Sequence, residues 1–222
     1  MPRIARAVAV NYPHHVTQRG NNRGAVFFDE KDKAFYLKTL RLYSDKLNVQ
    51  IRAYCLMPNH VHVLAVPLDT DSLSQCMGRT SMLYTQYVNR KYKRSGRLWQ
   101  NRFFSTIIEA ETYLWSVMRY IERNPVKAGM VNDPEGYKWS SCKANMRGKN
   151  DLLVKGGEWL DISGRAAYRK FVMLHDSGME QRIRRATSTG RPLGSVEFVI
   201  YIESKLLRRL MPGKAGRPRR QE

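Results

Sequence analysis

His60-Val61-His62, inside Met57-Pro58-Asn59-His60-Val61-His62-Val63-Leu64, sets two imidazoles one residue apart. Two such rings can share a metal ion only on a strand, where alternate side chains point to one face while Val61 and Val63 point to the other. The surrounding residues favour that strand. Pro58 cannot donate a ladder hydrogen bond, and Pro58-Asn59 reads as a tight turn between Ile51–Leu56 and His60–Val66, so the pair opens the second strand of a hairpin. Taken alone, the pattern fits a metal site and also fits half-buried imidazoles that merely hydrogen-bond.

A second pair lies on the segment Thr112–Arg123. There Leu114, Val117, Met118 and Ile121 recur at helical spacing as one buried stripe. Tyr120 and Asn124, four apart, share one shoulder of that helix, which Asn124-Pro125 should end. A tyrosine hydroxyl titrates near 10 and is a weak nucleophile at neutral pH. Neighbouring cations, with Arg119 and Arg123 as the adjacent candidates, and a metal-polarised phosphate would lessen that handicap. Spacing alone leaves the plainer reading standing, a packed tyrosine beside a helix-ending asparagine.

The elements that would carry these residues alternate. Tyr12–Gln18 reads as a strand, Asp32–Leu47 as a helix, then the histidine hairpin, a helix from Ser72, a strand over Arg102–Ile108 and the helix with Tyr120. This order predicts an α+β fold, a ferredoxin-like antiparallel sheet with helices packed on it. Composition loosens beyond residue 145, which divides the chain into a first unit at 1–145 and a basic, mainly helical extension with a flexible tail at 146–222.

The chain has 222 residues, with 39 Lys plus Arg against 19 Asp plus Glu, a net charge of +20 and a sequence pI near 10.2. Such a surface favours a polyanion, nucleic acid first. Residues 72–108 hold seven basic side chains, Arg79, Arg90, Lys91, Lys93, Arg94, Arg97 and Arg102, and no acid. They are interleaved with Tyr84, Tyr87, Tyr92, Trp99 and Phe103, as a groove for phosphates and stacked bases requires; a solvated helix end over core aromatics reads the same way. The loop Arg19-Gly20-Asn21-Asn22-Arg23-Gly24 could hold phosphate or simply connect. From 181 to 222 eleven basic residues face three acidic ones, a net +8.

No apolar run approaches the roughly 20 residues a spanning helix needs, so no membrane is expected. The first residues are broken by Asn11, Pro13 and two histidines too early for a signal-peptide core, and the expected location is cytoplasmic. Cys55, Cys76 and Cys142 show no C-x-x-C spacing and read as reduced, packed thiols.

Four blocks together resemble the single-tyrosine HUH transposases of the insertion-sequence-200-like family, and more narrowly its REP-associated tyrosine transposase branch. They are His15-Val16-Thr17-Gln18-Arg19-Gly20-Asn21-Asn22-Arg23, Tyr54 to Leu64, Leu98-Trp99-Gln100-Asn101-Arg102-Phe103, and Met118 to Gly129. The resemblance covers about residues 12–145. It implies His60, His62 and Asn124 as ligands of Mg²⁺ or Mn²⁺, with Tyr120 as the nucleophile that becomes linked to a 5′ phosphate. It further implies DNA as partner, single-stranded or hairpin-forming palindromic repeats, in a monomer or a homodimer. On this reading Arg19, Asn21, Arg23, Arg90, Lys91, Lys93, Arg94, Arg97, Trp99 and Arg102 would contact DNA. The tail Ala215-Gly216-Arg217-Pro218-Arg219-Arg220 carries the Gly-Arg-Pro core of an AT-hook-like arm, with Arg217 and Arg219 reaching a minor groove, or is a generic basic tail.

Two other readings remain. A metal hydrolase using His60 and His62 differently would have only His14, His15 and His175 as further histidines, and no H-E-x-x-H is present. A nucleic-acid-binding protein that kept the fold and lost catalysis is disfavoured by the complete set His60, His62, Tyr120 and Asn124.

Overall fold

The structure is a computed structural model and describes residues 6–154 and 162–211. Four strands form one sheet: β1 His14–Arg19, β2 Val49–Met57, β3 His60–Pro67 and β4 Phe104–Ile107, in the order β2-β3-β1-β4. All three pairings are antiparallel, so β1 and β2 run the same way with β3 inserted between them. That is the split βαβ arrangement the element order predicts. Helix α1 (Glu30–Lys46) links β1 to β2, α2 (Ser72–Lys91) links β3 to β4, and α3 (Ala110–Glu122) follows β4. The observed ends lie within a few residues of those read from the sequence.

Local chemistry accounts for these boundaries. Asp29 caps α1 through a complete capping box with Asp32. The hairpin turns at Pro58-Asn59, as expected, and Met57 pairs with His60. Helix α3 stops at Glu122, and the chain continues as a single turn, α4 (Asn124–Lys127), with Pro125 in its first turn where a missing N–H costs nothing.

Register decides which residues share a face. Residues directly opposite in a ladder lie on the same side. Thr17 opposes His62 and Arg19 opposes His60, so His15, Thr17 and Arg19 accompany the His pair. Gln18 lies on the other face, where Ser81 of α2 donates to its Oε1 at 2.7 Å. Helix α3 packs on β2 and β3, while α1 and α2 pack against each other.

The C-terminal region continues as α5 (Cys142–Arg147), α6 (Ile162–Met173), α7 (Ser177–Thr189) and α8 (Val196–Leu206). These helices do not pack apart from the sheet: Phe198, Ile202 and Leu210 form a small buried cluster with Ala7, Ala9 and Ile107. Leu153, Val154, Tyr168, Val172, Ile183 and Leu193 belong to the same buried cluster as Val16, Leu64 and Ile121. Leu193 also hydrogen-bonds backbone to backbone with Ile107 and Glu109 at the edge of β4. The loosened composition after residue 145 marks a surface connection, and the core passes beneath it. All three cysteines are buried free thiols. No helix among the described residues is long and apolar enough to cross a membrane.

Candidate functional site

Strand β3, strand β1 and helices α3 and α7 converge on the His60–His62 face. The rings of His60 and His62 lie 4.9 Å apart, and Tyr120 meets His62 edge-on at 5.7 Å and His15 at 5.6 Å. The tyrosine thus leaves the apolar stripe of α3 and stands over the histidines, half-buried. No described residue hydrogen-bonds its hydroxyl.

Both candidate ligands are held from behind. Asn59 donates through Nδ2 to the Arg23 carbonyl at 3.0 Å, which turns its Oδ1 to His60 Nδ1 at 2.6 Å. An amide oxygen can only accept, so His60 carries its proton on Nδ1 and keeps a lone pair on Nε2. His62 Nδ1 meets His15 Nε2 at 2.9 Å, which leaves His62 Nε2 facing the site. Burial drives the His60 pKa down to about 4, with Arg19 adding to the fall. It drives His62 well below the ordinary imidazole value, helped by His60, His15 and Arg19. Neutral imidazole is the form that binds metal.

Asn124 follows the end of α3, four residues after Tyr120. Its Nδ2 donates to the Tyr120 and Ile121 carbonyls at 2.7 and 3.3 Å, which leaves its Oδ1 outside these bonds. Among the described residues no group of three His, Cys, Asp or Glu side chains is placed to hold a metal. The donor set expected from the sequence is two imidazoles and an amide oxygen, of which the strand register sets His60 and His62 on one face. That set fits a divalent cation that retains open positions, and does not fit a closed structural zinc centre.

The cations that act on Tyr120 are not those its neighbours in sequence suggest. Arg119 is buried against Phe171, 4.2 Å from the ring centre, and pairs with Asp176 at 3.1 Å. Arg123 donates to the Val172 and Met173 carbonyls at 3.1 and 3.0 Å. Both are structural because they point across α3 to α6 and its end. Burial raises the Tyr120 pKa; Arg184 of α7 and Arg19 of β1 pull it back, and Glu180 opposes them.

The expected DNA-binding residues divide into two groups. Arg19, Asn21 and Arg23 are exposed on the loop beside His60. That loop is a fixed shelf: Gly20 N–H donates to Asn59 O at 2.8 Å and Asn21 N–H to Leu98 O at 2.9 Å. A Cβ on Gly20 would come within 2.2 Å of Gly24 O, so only glycine fits there. Arg90, Lys93, Arg94, Arg97 and Arg102 are exposed as well. Arg97 and Arg102 line an open groove of about 470 Å³ shared with Gln18, Ser81 and Asn101.

Two of the expected contacts are corrected. Trp99 is only 7% exposed, packed about 6 Å from the rings of Tyr36 and Tyr84, and is core. Lys91 is spent on Asp29 and the fully buried Asp32, at 2.7 Å each. The interleaved Tyr84 and Phe103 are buried too, and Tyr87 and Tyr92 donate to Asp32. Tyr84, Tyr87, Tyr92 and Trp99 face α1 and its N-terminal cap region, Phe103 lies under the Arg6 guanidinium, and the arginines face solvent. An aromatic ring left open to solvent is Phe28, 45% exposed, with Arg94 5.6 Å above it. Arg217 and Arg219 lie outside the described residues.

His15, Arg184 and Thr187 were not singled out as site residues by sequence. His15 could have been found by extending the β1 alternation once its pairing with β3 was known. Arg184 and Thr187 carry no local signal, since α7 meets the site only through tertiary packing.

The sequence signature of the family described as "Transposase IS200 like" matches residues 8–124, more than half of the chain, and spans every residue of this site except the contributions of α7. The chain belongs to the IS200-like transposase family. Members of that family generally use a divalent metal. A Haemophilus influenzae protein named as a candidate REP-associated tyrosine transposase is 29% identical over 127 residues, covering 47% of this chain and 70% of that relative. A solved REP-associated tyrosine transposase bound to a REP hairpin superposes with a TM-score of 0.58 at 20% identity, covering 74% of this chain and 96% of the other. At that identity the likeness speaks to the fold. A Deinococcus radiodurans protein described as a candidate transposase overlaps at a TM-score of only 0.38 and carries no argument.

Proposed function

We propose that this IS200-like transposase nicks and rejoins single-stranded or hairpin-forming DNA through a 5′-phosphotyrosine at Tyr120, assisted by Mg²⁺ or Mn²⁺ at His60, His62 and Asn124. The observation that carries this reading is Tyr120, its hydroxyl without a partner among the described residues, 5.7 Å ring to ring from His62, whose own ring lies 4.9 Å from that of His60. A divalent cation bound there would polarise the scissile phosphate and offset its charge. The Tyr120 oxygen would attack phosphorus in line, losing its proton as the O–P bond forms. The P–O3′ bond breaks and the released 3′ oxygen takes up a proton. Because the phosphotyrosine conserves the bond, a 3′ hydroxyl can reverse the step and join strands without hydrolysis. Arg184 and Arg19, the cations that lower the Tyr120 pKa, would stabilise the phenolate and the phosphate together.

Substrate binding is assigned to Arg19, Asn21 and Arg23 on the shelf and to Arg90, Lys93, Arg94, Arg97 and Arg102 beside it. These would hold backbone phosphates in single-stranded or hairpin DNA, whose bases can stack on Phe28. The hairpin is proposed because the REP-associated relative of the same fold was solved on one. Activity on chromosomal repeats would place the protein in the cytoplasm.

The test is an end-labelled hairpin oligonucleotide incubated with protein and Mn²⁺. A covalent protein–DNA adduct should form, should vanish in EDTA, and should be lost in His60→Ala and in His62→Ala while hairpin affinity stays within a few fold. Full adduct yield in EDTA would rule the reading out. A protein that binds the hairpin and never forms an adduct under any divalent metal would instead be a binding protein on a retained fold.

A further inference from the structure

Behind His62 a chain of buried hydrogen bonds leads out of the sheet and into the C-terminal helices. His62 Nδ1 meets His15 Nε2 at 2.9 Å, and His15 Nδ1 meets Thr187 Oγ1 at 2.9 Å across 172 residues of sequence. Thr187 Oγ1 in turn donates to the Ile183 carbonyl at 2.8 Å, one turn back in α7. The rings of His15 and His62 are stacked at 5.2 Å with planes 10° apart, so neither can rotate away without disturbing the other. His15 and His62 are both buried.

The direction of this chain is fixed at its far end. A hydroxyl has one proton, and a carbonyl can only accept. Once the Thr187 proton is committed to Ile183, Oγ1 offers His15 a lone pair, and His15 must donate from Nδ1. Each neutral imidazole carries a single N–H, so His15 Nε2 accepts from His62 Nδ1, and the lone pair of His62 is left on Nε2. The reverse direction would put a proton on His62 Nε2, where it would point at the cation. It would also strip the Ile183 carbonyl of this partner.

We infer that Thr187 and His15 are positioning residues, a hydroxyl–imidazole relay by which helix α7 holds His62 in the tautomer that a metal ligand needs. The inference deepens the metal reading above and rests on it for its functional meaning, though the tautomer is a property of the metal-free protein. It also gives the C-terminal region a part in the chemistry, since Thr187 lies beyond the family match at residues 8–124.

The full chain labelled with ¹⁵N-histidine and free of metal allows a direct reading by long-range ¹H–¹⁵N correlation. His15 and His62 should both be Nδ1–H with unprotonated Nε2. Thr187→Val keeps the shape and removes the acceptor; His15 should then donate from Nε2 instead, His62 should switch to Nε2–H, and Mn²⁺ affinity without DNA, read by electron paramagnetic resonance of the free ion, should fall about 10- to 100-fold. Thr187→Ser restores the hydroxyl and should restore both readouts. A wild-type His62 in the Nε2–H form overturns the inference, and so does a folded Thr187→Val protein with tautomer and Mn²⁺ affinity unchanged. If the valine variant does not fold, the wild-type tautomers and the serine variant decide alone. Expected tautomers that switch on Thr187→Val, in a protein that binds no Mn²⁺ at all, would uphold the relay and count against the proposed function.

Discussion

Helix α3 carries two buried polar clusters, and they differ in how far their hydrogen-bonding capacity is used. In the first, Glu122 is fully buried, and its two carboxylate oxygens accept from Ser141 Oγ, Asn145 Nδ2 and Tyr168 Oη at 2.6–2.7 Å. In the second, two positions away along the helix, Tyr120 stands over His60 and His62 with its hydroxyl unpartnered by any described residue, and the two Nε2 lone pairs face the same space. Both clusters recruit a C-terminal helix, Tyr168 from α6 and Thr187 from α7. The Glu122 cluster turns its capacity inward and ties α3 to α5 and α6. The Tyr120 cluster spends its capacity only behind the ligands and leaves the front open, which is what a substrate site requires and a stabilising network avoids.

The largest expected effect is on chemistry. Tyr120→Phe removes one hydroxyl that no described residue partners, so adduct formation should fall to background while the melting temperature and hairpin affinity stay as in the parent protein; gel shift, calorimetry and adduct assay check this together. A large fall in stability would mean that the hydroxyl is structural, and the two clusters would cease to differ.

Glu122→Ala should show the opposite profile. It removes an acceptor from three buried donors; Ser141 Oγ and Asn145 Nδ2 keep the Tyr54 and Arg52 carbonyls at 3.3 and 3.1 Å, while Tyr168 Oη is left unpaired at a cost of about 1–3 kcal/mol, so a loss of at least that order in urea unfolding is expected. Adduct yield per folded molecule should change little.

Glu122 also gives the comparison a pH axis. Burial raises its folded pKa, against the hydrogen bonds that lower it. A raised carboxyl pKa contributes stability that is complete below the unfolded value and is lost as pH rises through the folded one. The parent protein should therefore lose stability from about pH 4.5 upward through the folded pKa, and Glu122→Gln should flatten that part of the curve. Its NH₂ would face Tyr168 Oη, which can accept. An unchanged slope in the glutamine variant would remove Glu122 as the source.

The smallest effects separate spent from unspent cations. Lys91→Ala should lower the melting temperature, since it leaves buried Asp32 without its ion pair, and should leave the salt dependence of DNA binding alone. Arg97→Ala and Arg102→Ala should leave stability within about 0.5 kcal/mol. Each should reduce the slope of log affinity against log salt by about 0.7 on single-stranded DNA.

The legible part of the molecule was the part written in short-range periodicity. The alternation at His60–Val66, the turn at Pro58-Asn59 and the stripe Leu114, Val117, Met118 and Ile121 each fix an element from residues within two turns or one strand. Trp99 and Lys91 were misread because composition reports that a segment is basic and aromatic, without saying which side chains turn inward against α1. Composition near residue 145 is silent on packing for a related reason: Lys149 and Asn150 are exposed there, while Leu153 and Val154 just beyond belong to the main buried cluster. His15 and Thr187 were missed as site residues because their contact closes across 172 residues, and no local pattern encodes it.

The residue to which DNA becomes attached decides whether Tyr120 is the nucleophile. Protein incubated with Mn²⁺ and a hairpin oligonucleotide, digested with protease and nuclease, should yield one nucleotide-modified peptide by tandem mass spectrometry, with the phosphate on Tyr120. A modification on any other residue, or none in a preparation that cleaves the hairpin, would contradict that role.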